Sequence, residues 1–333
     1  MQNILTEQAC QQITENGYFK PGIILSGQTL DQLQQVFLNT PKKNTNVGYH
    51  WVSSIDAYTS SNSVKEFFIK FINRKFPAIN GRKHMTHHAY SKWVHSSSPA
   101  IPIFWQACIE QGIATTAIRK SLLISHDIIA ENDINDSTFP MHYDGFSWSL
   151  FYQSGDDLTF YVPLQDLNEQ SGGRLLVERN IDQSENYHSR NSDIAEFSRR
   201  CHNVVKPNES GWLTREGAEL SRSADQVAQA YRQLIMARSA RQIPRVQDMS
   251  VINAKAGEVF IFNNKNYHAV EPWRLSSKRR NYIVRTLPLY DFELQPPQDF
   301  LDAAKCNRYI FNPTKNCLES FDVNARALYY DWN

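Results

Sequence analysis

The chain has 333 residues, in which 35 Lys and Arg stand against 34 Asp and Glu, a formal net charge of +1. That near balance gives no electrostatic reason to expect a nucleic-acid or acidic-membrane partner. Cys10, Cys108, Cys201, Cys306 and Cys317 are scattered, odd in number and without a C-x-x-C, which argues against a zinc knuckle and a disulfide framework. Neither a signal-peptide pattern nor an apolar run near the ~20 residues of a bilayer span is present, so a cytoplasmic location is expected. Aromatics at 12% supply material for a core and an enclosed pocket.

In chain order, residues 13–40 read as a short strand, a turn and an amphipathic helix. Gln28 to Asn39 places Leu30, Leu33, Val36 and Phe37 on one stripe. Residues 62–76 and 101–114 are further helical candidates. From Ser121 the texture changes to short β-branched or aromatic runs bounded by Gly, Asp, Asn and Pro. They are SLLISHDIIA, SWSLFY, LTFYVPL, RLLVE, MSVINA, EVFIF and RNYIVRTLPL. Between RLLVE and MSVINA lies a polar insertion, residues 180–248, with a predicted helix at SADQVAQAYRQLIMARSA (223–240). The insertion reads equally as a packing appendage or as a substrate lid. The pattern predicts an α+β chain with a mainly-β core, a jelly roll buttressed by N-terminal helices, with a helical insertion between core strands. One domain is expected over 1–333: mostly helical support to 118, core over 119–290, and a C-terminal extension over 291–333.

The chemistry is carried first by FPMHYDGFSW. In an extended segment, side chains two apart share a face, so His142 and Asp144 reach one point while Tyr143 faces away. A first-row divalent metal accepts imidazole and carboxylate but needs a third ligand, and His268 in GEVFIFNNKNYHAVEPW is the candidate. Two histidines and one carboxylate on one side of a metal match the ligand set of non-haem Fe(II) oxygenases, with open positions for co-substrate and O2.

At these motifs the sequence resembles the phytanoyl-CoA dioxygenase-type branch of the Fe(II)/2-oxoglutarate oxygenases, whose core is a double-stranded β-helix. NGYFKPGIILSGQTLDQLQQVF is similar to the family's opening strand, turn and helix. MHYDGF matches its H-x-D, and LTFYVPLQDLNEQSGGRLLVE is similar to the strands and glycine pair that follow. FNNKNYHAVEPWRLSSKRRNYIVRTL matches the distal histidine and the strand beyond it. The resemblance implies a hydroxylase that couples decarboxylation of 2-oxoglutarate, to succinate and CO2, to oxidation of a C–H bond in a small molecule such as an amino acid or natural-product intermediate. It implies His142, Asp144 and His268 as iron ligands and a basic residue, Arg279, on the far carboxylate of 2-oxoglutarate. A planar guanidinium pairs with a buried carboxylate in two parallel hydrogen bonds. Arg280 is the rival, since alternation lets only one of the two point inward; spacing favours Arg279 and periodicity does not decide. If Arg279 points inward, Asn281, Ile283 and Arg285 share its face. Because Asp144 is present, oxygen transfer or desaturation is expected in place of halogenation. One departure is that RLLVE runs straight into the insertion, without the family's Pro-Gly-Ser-His-like segment, which bears on the substrate pocket.

Other residues carry two readings each. Tyr161 is placed to line the co-substrate pocket or to serve as a core tyrosine; Trp148 is core or pocket wall. Arg174 and Arg285 either meet a substrate acid or end a solvated strand. His84, His87 and His88 read as a polar surface segment, since no carboxylate or thiolate is adjacent. His126 and Asp127 are consecutive and so face opposite ways. SKRR reads as a solvated turn. The competing functions are a cupin-like metal enzyme using no oxoacid and a non-enzymatic ligand-binding protein with a structural metal. Oligomeric state is open.

Overall fold

A computed structural model describes residues 4–39, 43–46, 84–87, 99–132, 141, 143, 157–205, 244–289 and 309–320. Helix α1 (Glu7–Asn16) starts where Thr6 accepts a hydrogen bond from the Ala9 N–H, and ends at Gly17, whose φ of 84° suits a residue without Cβ. Strand β1 (Tyr18–Phe19) follows. Helix α2 (Gly27–Asn39) is capped by the Ser26 hydroxyl, which accepts from the Thr29 N–H at 3.1 Å. Leu33 is fully buried and Leu30 and Val36 pack against the same core, as the stripe requires; the Phe37 side chain lies outside the described set. An antiparallel pair, β2 (Lys43–Asn46) and β3 (His84–His87), follows. Helix α3 (Ala100–Glu110) is shorter than the expected 101–114 because Gly112 adopts φ 81°, after which α4 (Ile113–Thr116) begins.

The β elements are β4 (Leu122–Asn132), β5 (Leu158–Pro163), β6 (Leu175–Glu178), β7 (Met249–Ile252), β8 (Phe260–Asn263), β9 (His268–Val270), β10 (Arg279–Pro288), β11 (Tyr309–Asn312) and β12 (Cys317–Ser320). They form a seven-stranded antiparallel sheet in the order β1-β8-β5-β10-β4-β11-β12 and a three-stranded antiparallel sheet in the order β7-β6-β9. From β5 to β10 the chain wraps between the two sheets: large, small, small, large, small, large. This is a jelly-roll path, and it brings distant segments face to face. Helix α5 (Glu185–Val205) occupies the start of the insertion, after a single 3₁₀ turn at Ile181–Gln183. The expected helices at 62–76 and 223–240 and the strand SWSLFY lie outside the described residues. Among the described residues no helix is long and apolar enough to cross a membrane.

Side-chain alternation sorts the large sheet into two faces. Phe160, Val162, Tyr282 and Val284 meet the helices in one core. There Phe104 of α3 packs edge-on against Tyr282 with ring centroids 5.5 Å apart, and Trp105 stacks on Phe311 at 4.6 Å. Tyr161, Phe260, Phe262 and Ile283 turn the other way and meet Leu175, Val177, Ile252 and Val270 of the small sheet. That second core lies between the sheets and receives the candidate site. A third cluster, Met141, Tyr143, Met249, Tyr267 and Ala269, with Leu176 against it, covers the outer face of the small sheet.

Candidate active site

His268 opens β9 in register with Val177, so it shares the inward face of the small sheet. It is 5% exposed, and Phe262 tilts against its ring with centroids 4.9 Å apart. Its Nδ1 lies 3.0 Å from the Asn266 carbonyl oxygen. A carbonyl only accepts, so Nδ1 carries a proton there, which leaves Nε2 as the ring nitrogen for a metal. The turn before it is tied down by asparagines. The Asn266 amide donates to the Gly17 and Glu178 carbonyls at 3.1 and 3.3 Å, and the Asn263 side chain accepts from the Lys265 N–H at 2.8 Å.

Arg279 opens β10 and is 2% exposed, whereas Arg280 is only part-buried, its N–H donating to the Gln165 side chain. Alternation therefore turns Arg279 and not Arg280 inward, with Asn281, Ile283 and Arg285 on its strand face. The Arg279 guanidinium donates to the Tyr161 hydroxyl, and the Tyr161 ring stacks on Phe260 at 4.9 Å. Burial pushes the Tyr161 phenol above its usual value against the opposing pull of Arg279, so the hydroxyl keeps its proton. Burial lowers the Arg279 value, opposed by Tyr161. A guanidinium nonetheless stays charged at neutral pH.

The glycine pair acquires a physical reason here. Gly173 has φ 64°, and a Cβ on it would lie 2.6 Å from the Arg279 Nε and 2.9 Å from the Trp273 ring. At Gly172, φ 67°, a Cβ would lie 2.3 Å from the Pro272 carbonyl oxygen. The turn thus needs left-handed backbone and no side chain for Arg279 and Trp273 to pass.

Phe260 and Phe262 are two apart on one face of β8, roughly 7 Å along the strand. One ring touches Tyr161, the Arg279 partner; the other touches His268. Asn281 is fully buried on the same lining strand, and neither its amide nitrogen nor its oxygen has a hydrogen-bond partner among the described residues.

His142, Asp144 and Trp148 lie outside the described residues. Tyr143, between the first two in sequence, is 7% exposed, and its ring packs edge-on against Tyr267 with centroids 5.0 Å apart. Among the described residues no three His, Cys, Asp or Glu side chains gather about one point. Arg174 precedes the inward-facing Leu175 and so turns to the other side of its strand. There its Nε and Nη2 hydrogen-bond the two Glu271 carboxylate oxygens at 2.7 and 2.9 Å. This engagement holds its charge in a part-buried pair on the side of the strand away from the inter-sheet lining. Arg285 pairs in register with Thr159 on the lining face of β10 and is partly buried.

Sequence reasoning placed Asn281 on the face of Arg279 without a role, and passed over Glu178 and Arg190. Glu178 and Arg190 form a buried ion pair. The available signal was the i, i+3 spacing of Tyr187 and Arg190, which puts both on one helix face. Burial pushes the Glu178 carboxyl up, against the pull of Arg190 and of the Tyr267 N–H that it accepts at 3.1 Å.

No family model matches the chain, and no curated protein matches it. Solved structures do resemble it at a distance. SnoK, described as a non-heme α-ketoglutarate-dependent carbocyclase from nogalamycin biosynthesis, is 10% identical with a TM-score of 0.45, covering 85% of this chain and 84% of its own. The epimerase SnoN in complex with Fe3+, α-ketoglutarate and nogalamycin RO is 11% identical with a TM-score of 0.44, over 88% and 93% of the two chains. HygX from Streptomyces hygroscopicus with nickel, 2-oxoglutarate and hygromycin B bound is 10% identical with a TM-score of 0.41, over 87% and 90%.

Proposed function

We propose that the protein is a non-haem Fe(II)- and 2-oxoglutarate-dependent dioxygenase, one domain over 1–333, that hydroxylates a C–H bond of a small molecule. The observation that carries this reading is the buried Arg279–Tyr161 pair on the same inter-sheet lining as the hydrogen-bonded His268. A charged group is costly to bury, and a bidentate carboxylate is the ligand that a guanidinium held this way fits best. The rings of Phe260 and Phe262 join the two features over a span on the scale of a five-carbon dicarboxylate. A metal enzyme that uses no oxoacid, or a binding protein with a structural metal, has no need of such a guanidinium there.

His268 Nε2, His142 and Asp144 would hold the iron. The contact of Tyr143 with Tyr267 supports this, because each tyrosine is a sequence neighbour of proposed ligands, and consecutive Cα atoms lie about 3.8 Å apart. On an extended strand the residue beside an outward ring turns inward, as His268 does beside Tyr267. Iron and 2-oxoglutarate, when bound, would activate O2 for oxidation of the substrate C–H bond, with succinate and CO2 released. The chain's own residues bind, orient and exclude water. Arg279 holds the far carboxylate, and Tyr161, whose hydroxyl accepts from Arg279, keeps a proton to donate to that carboxylate. Phe260, Phe262 and Trp273 keep the lining dry, which strengthens these polar contacts. Arg285 and Trp148 remain candidates for the substrate side, and a carboxylate at 144 favours oxygen transfer or desaturation over halogenation.

Anaerobic titration of the protein with Fe(II) and then 2-oxoglutarate is expected to give a weak visible charge-transfer band, and air is expected to give succinate. Neither should appear in His268→Ala. A band and succinate yield equal to wild type in that variant would remove His268 from the centre, and their absence in wild type would sink the reading.

A further inference from the structure

Arg190 lies in the second turn of α5, fully buried, and is surrounded by three tyrosine rings. Its guanidinium carbon is 4.6 Å from the Tyr267 ring centroid, 5.1 Å from Tyr187 and 5.3 Å from Tyr143. Its Nη2 pairs with the Glu178 carboxylate and its Nε donates to the Lys265 carbonyl at 3.1 Å. Glu178 in turn accepts from the Tyr267 N–H, and its backbone carbonyl accepts from Asn266. Lys265, Asn266 and Tyr267 are the three residues ahead of His268, and Tyr143 stands between His142 and Asp144. One side chain from the insertion therefore grips both segments that carry proposed ligands, on the side of the small sheet opposite the inter-sheet core.

Stability alone does not explain this choice of residue. A buried ion pair gains little over well-packed apolar side chains of similar volume, because both charges lose their water. What a fixed, planar guanidinium adds is geometry: ring faces and hydrogen bonds from several directions hold their owners at one spacing. Groups that orient metal ligands from behind are where such rigidity acts on affinity.

We propose that Arg190 is a positioning residue for the iron centre: by clasping Tyr143 and Tyr267 it sets the spacing between the His142/Asp144 segment and His268. The inference rests on the proposed function for the identity of the ligands. It also gives the start of the insertion a role that is neither passive packing nor lid.

Anaerobic Co(II) titration, followed by visible absorption and alongside thermal denaturation, tests it in wild type, Arg190→Met, Arg190→Lys and Leu33→Ala. Leu33 is a buried core residue of α2, on the helix side of the large sheet, and its truncation loosens the protein without touching the clasp. Arg190→Met is expected to weaken Co(II) binding by about 10- to 100-fold and to alter the Co(II) absorption spectrum. Arg190→Lys, which keeps charge without the planar fork, is expected to recover part of the affinity. Leu33→Ala should lower the melting temperature with Co(II) affinity and spectrum unchanged. Wild-type affinity and spectrum in a folded Arg190→Met protein would overturn the positioning role. If that variant fails to fold, Arg190→Lys decides by the same comparison. Wild-type protein that takes up no Co(II) would overturn both the inference and the metal centre beneath it, an outcome distinct from equal binding by wild type and variant.

Discussion

Arg279 holds its charge where it is 2% exposed and shares a hydrogen bond with Tyr161. Lysine in its place keeps the charge but loses the planar fork and its set of fixed donors. Arg279→Lys is therefore expected to weaken 2-oxoglutarate binding about a hundredfold, on the order of 3 kcal/mol, with metal affinity unchanged. Calorimetric titration of the metal-loaded protein measures this, and a shift of less than threefold would take Arg279 out of the carboxylate clamp. Gly173 supplies an independent check on the same side chain. Alanine there forces a methyl to 2.6 Å from the Arg279 Nε at a φ of 64°. Gly173→Ala is expected to cost roughly 1–3 kcal/mol of stability and to weaken 2-oxoglutarate binding as well. Gly172→Ala, whose added methyl meets a backbone carbonyl and the Arg274 chain, should cost stability while sparing the affinity. Equal effects of the two on affinity would separate the glycine turn from the clamp.

The elements that frame this site differ in how openly their sequence declared them. LTFYVPL, EVFIF and the YIV of RNYIVRTLPL are largely apolar on both faces because each face meets a core, and such runs read directly as strands. Alternation could state that one of Arg279 and Arg280 points inward; only the register of β10 against β5 says which. Helix α5 was invisible for the opposite reason. ENYHSRNSDIAEFSRRCHNVV is polar over most of its length, and what it buries at its start is Tyr187 and an arginine. Helix α1 buries only Ala9 and Ile13, too short a stripe to register, and β11 and β12 are four-residue strands that extend a sheet edge. The turn from β8 to β9 was legible as a turn, but not as a brace. Asn266 contributes two side-chain hydrogen bonds there, to the backbones of Gly17 and Glu178. Asn266→Ala leaves two buried carbonyls short of a partner and is expected to cost about 1–3 kcal/mol in urea denaturation. A loss below 0.5 kcal/mol would mean that the turn is held by its backbone alone.

At the scale of the whole molecule, three cores stack through two sheets, and tyrosines are buried at the inter-sheet core and again on the outer face of the small sheet. Tyr161 stands in the first and Tyr267 in the second, and burial raises both phenols above the ordinary tyrosine value near 10. For Tyr267 burial is the largest cause, with Arg190 opposing it and Glu178 adding to it. The consequence for stability has a definite sign. Above pH ~10 the unfolded chain releases phenolic protons that the folded protein retains, so the unfolded state binds fewer protons and stability falls with rising pH. The full stability is present below the unfolded value near 10 and declines from there upward, by about 1.4 kcal/mol per pH unit for each phenol kept neutral. Denaturant midpoints measured from pH 8 to 11 are expected to be level at first and then to drop, while absorbance of the folded protein reports phenolate only from its more exposed tyrosines. Tyr267→Phe removes one of the retained protons and should flatten that drop. If the slope above pH 10 is the same in the variant as in wild type, Tyr267 ionises as readily folded as unfolded, and the packing of the outer cluster around Arg190 is looser than its ring distances imply.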